Sequence, residues 1–184
     1  MVKFEVEVKI KVENLAKVEE DLKKLGADEV EYGVQEDLYF NAPHKNFVTT
    51  DEALRIRRSN GKCFLTYKGC RLNSQAKTRE ELEVKVEDFN VIRLILEKLD
   101  FKPVYLVKKI RKSFKLENLK INLDNVENLG SFVEIEGFAK DEDERKKVVE
   151  NVKRVLLKLN LHDKKLEDKT YLELLLEKDK VLKR

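Results

Sequence analysis

The sequence predicts an α+β fold in which helices pack outside an antiparallel sheet, and three observations carry that prediction. Residues 4–12 alternate without a fault, with Phe4, Val6, Val8, Ile10 and Val12 on one face and Glu5, Glu7, Lys9 and Lys11 on the other. The same strand-then-helix pattern returns 74 residues later without a gap. Strand patterns outnumber helical ones, and short connections join them, which favours antiparallel neighbours.

Taken in order, residues 10–15 (Ile-Lys-Val-Glu-Asn-Leu) overlay residues 84–89 (Val-Lys-Val-Glu-Asp-Phe). In each unit an Asn or Asp stands where a helix cap belongs, and apolar residues then recur at helical intervals. These are Val18, Leu22 and Leu25 in the first unit and Ile92, Leu96 and Leu99 in the second. Gly26 sits at the expected C-terminal cap. A looser third copy runs from Phe132-Val133-Glu134-Ile135-Glu136 into a helix near 141–159. Asp141 and Glu144 form its capping box, and Val148, Val152, Val155, Leu156 and Leu159 its apolar face. Short alternating segments at about 35–41, 53–58, 62–68, 105–115 and 119–124 read as further strands, parted by turn sequences such as Ser59-Asn60-Gly61. Residues 69–78 read as an exposed loop and 170–182 as a last helix. One domain spanning 1–184 follows, with related halves at approximately 4–74 and 78–140.

Composition narrows the function. Lys+Arg number 39 against 36 Asp+Glu, a net charge of +3, which argues against a dedicated nucleic-acid binder. No apolar run approaches the roughly 20 residues of a membrane span, and the N-terminus lacks a signal-peptide core, so a cytoplasmic protein is expected. Cys63 and Cys70 lack CxxC spacing, and His44 and His162 lie far from any ligand-like cluster. Abundant Glu and Lys, two Pro and no Trp suit a thermophile.

The polar alternates are the anomaly. Glu5, Glu7 and Lys9, then Arg55 and Arg57, Lys62 and Lys68, Arg79, Glu81, Glu83 and Lys85, Lys109 and Arg111, Lys120, Asn122 and Asp124, and finally Glu134 and Glu136 line one face of successive strands. On an open sheet they would face water. If the sheet closes into a barrel, as the two-fold repeat permits, they share a lumen. Buried charge is costly unless paired or bound to a counter-ion, so such a lumen must hold a polyanion and a metal. Arginine forks and lysine point charges suit a di- or triphosphate. Carboxylates roughly 6–7 Å apart along a strand suit Mg2+ or Mn2+, hard ions that take carboxylate and phosphate oxygens together. No GxxxxGK[ST] or GxGxxG loop offers an alternative phosphate site, and the chain has only six glycines.

Glu5-x-Glu7-x-Lys9 resembles the ExExK signature of the CYTH superfamily, the triphosphate tunnel metalloenzymes. Further segments resemble that family's pattern in order: Gln35-Glu36-Asp37-Leu38-Tyr39-Phe40, Ala53-Leu54-Arg55-Ile56-Arg57, Leu65-Thr66-Tyr67-Lys68-Gly69, Thr78-Arg79-Glu80-Glu81-Leu82-Glu83, Lys109-x-Arg111, Leu123-Asp124 and Leu129-Gly130-Ser131-Phe132-Val133-Glu134-Ile135-Glu136. Tyr171-Leu172-Glu173 is a weaker echo. The sub-pattern looks most like the class IV adenylate cyclase branch. Asn41 departs from it, where the family often has Asp.

The resemblance implies an eight-stranded antiparallel barrel forming a tunnel, often as a homodimer, that binds nucleotide or inorganic triphosphates; charge balance and hydropathy add the expectation of no nucleic-acid or membrane partner. It implies Glu5, Glu7, Asp124, Glu134 and Glu136 as metal ligands for Mg2+ or Mn2+. Lys9, Arg55, Arg57, Lys68, Lys109 and Arg111 would grip the triphosphate. Glu5, Glu7, Lys9, Arg79, Glu81 and Glu83 would form the catalytic set. Lys62, Lys85, Lys115 and Lys120 read as ordinary surface lysines. The leading reaction is cyclisation of ATP to cyclic AMP and pyrophosphate. Hydrolysis of inorganic triphosphate, thiamine triphosphate or nucleotides is the alternative, and a non-catalytic polyphosphate or nucleotide binder is a third.

Overall fold

The computed structural model describes residues 4–70 and 80–182. Along the chain come β1 (Phe4–Val12), α1 (Leu15–Lys24), β2 (Asp28–Asn41), β3 (Ala53–Ser59), β4 (Lys62–Lys68) and β5 (Glu81–Val86). They are followed by α2 (Phe89–Lys98), β6 (Lys102–Leu116), β7 (Leu119–Val126), β8 (Gly130–Ala139), α3 (Glu142–Lys158) and α4 (Tyr171–Leu182). The eight strands form one antiparallel sheet in the order β1-β8-β7-β6-β2-β3-β4-β5. The expected α+β class, antiparallel sheet and strand number hold, but β1 and β5 stand at the two ends of the strand order, so among the described residues the sheet does not close into the expected barrel.

The caps explain why the helices begin where they do. Asn14 Oδ1 accepts from the Lys17 N–H of α1 at 3.0 Å, and Asp88 Oδ1 accepts from the Asn90 and Val91 N–H groups of α2 at 2.7 and 3.0 Å. Asp141 accepts from the Glu144 N–H of α3, but Glu144 reaches back to the N–H of Lys140, one residue earlier than in the expected box. Three helices also end alike. After α1, the N–H of Gly26 bonds the carbonyl of Lys23 and that of Ala27 the carbonyl of Leu22. Asp100 and Asn160 repeat the pattern after α2 and α3. Between β3 and β4 the two-residue turn Asn60-Gly61 has positive φ at both positions, as a hairpin turn matching strand twist requires.

Two compact units divide the described chain, one comprising residues 4–32 and 110–169, the other 33–70, 80–109 and 170–182. In the first unit, α1 and α3 pack on β1, β8 and β7, with Leu22, Phe114, Ile121 and Ile135 fully buried. Gly137 makes room for α3: a Cβ there would lie 2.5 Å from Val148 Cγ1. In the second unit, Leu38, Phe40, Leu54, Ile56 and Leu96 form the core beneath α2.

Both cores use the apolar alternates, so the polar alternates occupy the opposite face of each strand. On β1, β2, β6, β7 and β8 several of them are withdrawn from solvent, with Lys9, Asp37, Lys109, Arg111, Asn122, Asp124 and Glu134 all buried, whereas Lys62 on β4 and Glu81, Glu83 and Lys85 on β5 are exposed. Two strands are longer than their alternation implied, β2 beginning at Asp28 and β6 at Lys102. Arg79 and most of the expected 69–78 loop lie outside the described residues.

Candidate functional site

The first unit carries an acidic row. Strand register sets Glu7 opposite Glu136 and Lys9 opposite Glu134 across β1 and β8, and Asn122 opposite Glu134 across β7 and β8. Arg111, from β6, organises the row. Its Nε donates to Asp124 Oδ1 at 2.6 Å and its Nη2 to Asp124 Oδ2 at 2.5 Å, while Nη2 also binds Glu134. Lys9 Nζ stands 3.3 Å from Glu134 Oε1 and 3.7 Å from Glu7 Oε1. Asn122 donates to Glu136 Oε1 at 2.7 Å and accepts from Ser113 Oγ at 2.7 Å. Burial pushes the Glu136 carboxyl above its ordinary pKa. Arg111 opposes that shift, and the neighbouring Glu134 and Glu7 charges reinforce it.

The second unit carries a basic cluster around one carboxylate. Asp37 on β2 accepts from Arg57 Nε and Nη2, both at 2.7 Å, and from Arg55 Nη1 at 3.4 Å. Burial alone would raise the Asp37 pKa. The charge of Arg55, the hydrogen bonds of Arg57 and the charge of Lys109 outweigh it and hold the carboxyl well below the usual range. Arg55 is itself held firmly charged by Asp37 despite its burial. Its Nε, however, is buried without a hydrogen-bond partner among the described residues. Further along the same face, Lys68 Nζ lies 2.9 Å from Glu81, and Thr66 donates to Glu83 at 2.8 Å. Glu81 and Glu83 stand on the exposed strand β5.

Sequence reasoning named most of these side chains and set Asn122 on the polar face, but gave no role to Asp37 or Ser113. Asp37 lay within a quoted segment, and its placement two residues from Tyr39 on an alternating strand was the available signal. Among the described residues, no group of three or more His, Cys, Asp and Glu is placed to hold a metal ion by itself. The five expected metal ligands divide instead according to their nearest cations. Both oxygens of Asp124 go to Arg111, Glu134 lies against Arg111 and Lys9, and Glu5 sits opposite Phe138 further along β1. Glu7 and Glu136 face each other across β1 and β8, with longer cation contacts of 3.7 Å to Lys9 Nζ and 4.0 Å to Arg111 Nη1, and would be the pair to hold a hard divalent cation. Such an ion commonly uses one or two carboxylates and completes its shell with water and phosphate oxygens, and it would relieve the repulsion that raises the Glu136 pKa.

A family model described as the CYTH domain matches residues 3–171. The chain belongs to the CYTH domain family. The "Putative adenylate cyclase MJ0240" of Methanocaldococcus jannaschii is 45% identical over 171 residues, covering 93% of this chain and 98% of that protein. The solved structure of PH1819 from Pyrococcus horikoshii is similar with a TM-score of 0.83 at 40% identity, over 95% of this chain and 99% of that one. The CYTH fold extends to "Putative adenylyl cyclase HpAC1" of Hippeastrum, described as revealing a dominant triphosphatase activity. That chain is 18% identical with a TM-score of 0.65, over 95% of this chain and 94% of its own.

Proposed function

We propose that this CYTH protein is a metal-dependent enzyme acting on triphosphates, and that its reaction is cyclisation of ATP to cyclic AMP and pyrophosphate. One observation carries the phosphate assignment: the partly buried Arg55 and Arg57 and the buried Lys109 all act on the buried carboxylate Asp37, and the buried Arg55 Nε has no acceptor among the described residues. Phosphate oxygens are the acceptors that arginine forks match in both charge and geometry. The cyclase assignment draws support from the 45% identity to a protein bearing that name.

The residues divide the work. Asp37 locks the Arg57 fork, so the guanidinium meets the phosphates already oriented. Arg55, Lys68 and Lys109 add charge along the phosphate chain. Arg111 holds Glu134 in place, and Glu7 with Glu136 would hold Mg2+ or Mn2+. When bound, such an ion supplies Lewis-acid polarisation of phosphoryl oxygens and eases ionisation of an attacking hydroxyl. The bond that forms joins the ribose 3′-oxygen to the α-phosphorus, and the bond that breaks releases pyrophosphate, whose developing charge the Arg and Lys set neutralises.

Hydrolysis at the terminal phosphate is the second reading. It is favoured by the described activity of the Hippeastrum protein and by a grip whose named contacts suit phosphates alone. Phosphorus NMR of ATP and of tripolyphosphate incubated with Mg2+ or Mn2+ tests both. Pyrophosphate with cyclic AMP is the expected result. Orthophosphate without cyclic nucleotide replaces cyclisation with hydrolysis, and no turnover of either compound overturns the enzyme.

A further inference from the structure

We propose that Ser113 and Asn122 are positioning residues that take up one oxygen of Glu136, so that Glu136 offers a divalent cation its other oxygen alone and the site favours Mg2+ and Mn2+ over Ca2+. The selectivity rests on the metal reading above, whereas the contacts that hold Glu136 rest on geometry alone. The three residues stand on successive strands of one compact unit, Ser113 on β6, Asn122 on β7 and Glu136 on β8. Ser113 Oγ donates to Asn122 Oδ1 at 2.7 Å, and Asn122 Nδ2 donates to Glu136 Oε1 at 2.7 Å.

Register explains the reach. Asn122 lies opposite Glu134, and Lys120 opposite Glu136, so the Asn122 amide crosses the diagonal to the next carboxylate along the polar face of β8. Ser113 and Asn122 are both fully buried, where an unmatched polar group is costly. An ionised carboxylate can only accept, so it turns Nδ2 toward Glu136 and leaves Oδ1 for the serine hydroxyl. Arg111 Nη1 lies 4.0 Å from the same Glu136 Oε1. A cation approaching that oxygen meets an N–H dipole and a guanidinium charge, whereas Oε2 takes part in neither contact. The Glu136 side chain keeps 16% exposure, so it is the end of the relay that an ion can reach.

The number of oxygens a carboxylate offers separates hard cations by size. Ca2+ takes roughly six to eight oxygens in flexible geometry and uses carboxylates through one oxygen or both. Mg2+ demands a near-ideal octahedron and draws on one or two carboxylates beside water and phosphate oxygens. Mn2+ shares the octahedral oxygen preference. A carboxylate held to one oxygen suits the octahedral ions, and one that is able to turn and chelate with both suits Ca2+. Asn122 thus fixes Glu136, and Ser113 orients Asn122.

Electron paramagnetic resonance of free Mn2+ in titrations of the full chain, followed by displacement with Ca2+, gives the ratio of the two affinities. The unaltered protein is expected to prefer Mn2+. Asn122→Leu, which keeps the bulk and deletes the donor, should lower the Mn2+ to Ca2+ ratio about ten-fold. Ser113→Ala removes only a hydroxyl, keeps the test open should Asn122→Leu not fold, and should lower the ratio about two- to ten-fold. In the Asn122→Leu background Ser113→Ala should add almost nothing. Equal losses for both ions, as a loosened fold would give, leave the ratio unchanged and overturn the relay, as does a Ca2+ affinity equal to that for Mn2+ in the unaltered protein. Glu136→Gln separates the two levels. Unchanged Mn2+ affinity in that variant would refute the metal reading and the selectivity with it. Lost Mn2+ affinity there, beside an unchanged ratio in Asn122→Leu and Ser113→Ala, would leave the metal reading standing and overturn the relay alone.

Discussion

Replacing Arg111 by Met probes the most tightly engaged group in the acidic row. Arg111 is 6% exposed, and its guanidinium forks both oxygens of the fully buried Asp124 and also binds Glu134. Methionine fills much of the same volume, so the change chiefly strands two carboxylates in a low-dielectric setting. Removing one partner of a buried ion pair costs about 3–5 kcal/mol. At about 2–4 °C per kcal/mol for a chain of this size, the melting midpoint should fall by about 6–20 °C. A second change, Asp124→Asn, removes one stranded charge. The double variant should then recover at least about 1 kcal/mol relative to the sum of the single losses. Urea unfolding followed by circular dichroism on the four proteins measures each quantity. A loss below about 1 kcal/mol for Arg111→Met, or additive losses in the cycle, would refute the buried ion-pair reasoning.

The remaining predictions concern charge balance. Because burial and the Glu134 and Glu7 charges raise the Glu136 pKa in the folded state, its ionisation disfavours folding: the penalty is absent below its unfolded value of 4.5 and complete above the folded one. Metal-free Glu136→Gln should therefore be at least as stable as the unaltered protein at pH 8, while its Mn2+ affinity drops about ten-fold or more; a less stable variant would contradict this. In the unaltered protein, Mn2+ affinity should rise with pH through the Glu136 titration, and a flat profile would remove Glu136 from the metal site. Arg57→Ala should weaken tripolyphosphate binding far more than orthophosphate binding, and equal effects in a titration would count against recognition of the phosphate chain. Hydrogen bonds from Lys45, Thr50 and Tyr67 pull the Glu52 pKa down to about 2. Its contribution to stability is present above the unfolded value of 4.5 and lost as pH falls toward 2, so Glu52→Gln should flatten that acid limb of the melting profile.

Much of this was legible because alternation is a two-fold code. The unbroken run from Phe4 to Val12 placed Glu7 and Lys9 on the face opposite Ile10, and the shift of 74 residues identified the caps Asn14 and Asp88. The full length of β2 was hidden because Val30, Tyr32 and Val34 alternate on an exposed face, where a strand lacks the apolar-in pattern. Pairwise chemistry was hidden more deeply. That Asp124 serves Arg111, and that Asp37 locks Arg57, depends on cross-strand neighbours that no sequence period encodes. The departure at Asn41 likewise has a local explanation, since its Oδ1 accepts from the Phe47 N–H at 2.9 Å. Tyr171, a faint echo in the sequence, is a buried ring over Lys109.

Calorimetric titration of tripolyphosphate with and without Mn2+, for the unaltered protein and for Glu7→Gln/Glu136→Gln, bears most directly on whether carboxylate-held metal and cation-held phosphate act as one. Mn2+ should tighten tripolyphosphate binding by about ten-fold or more in the unaltered protein, and by almost nothing in the double variant. Identical affinities with and without the ion in the unaltered protein would contradict a metal-dependent triphosphate enzyme.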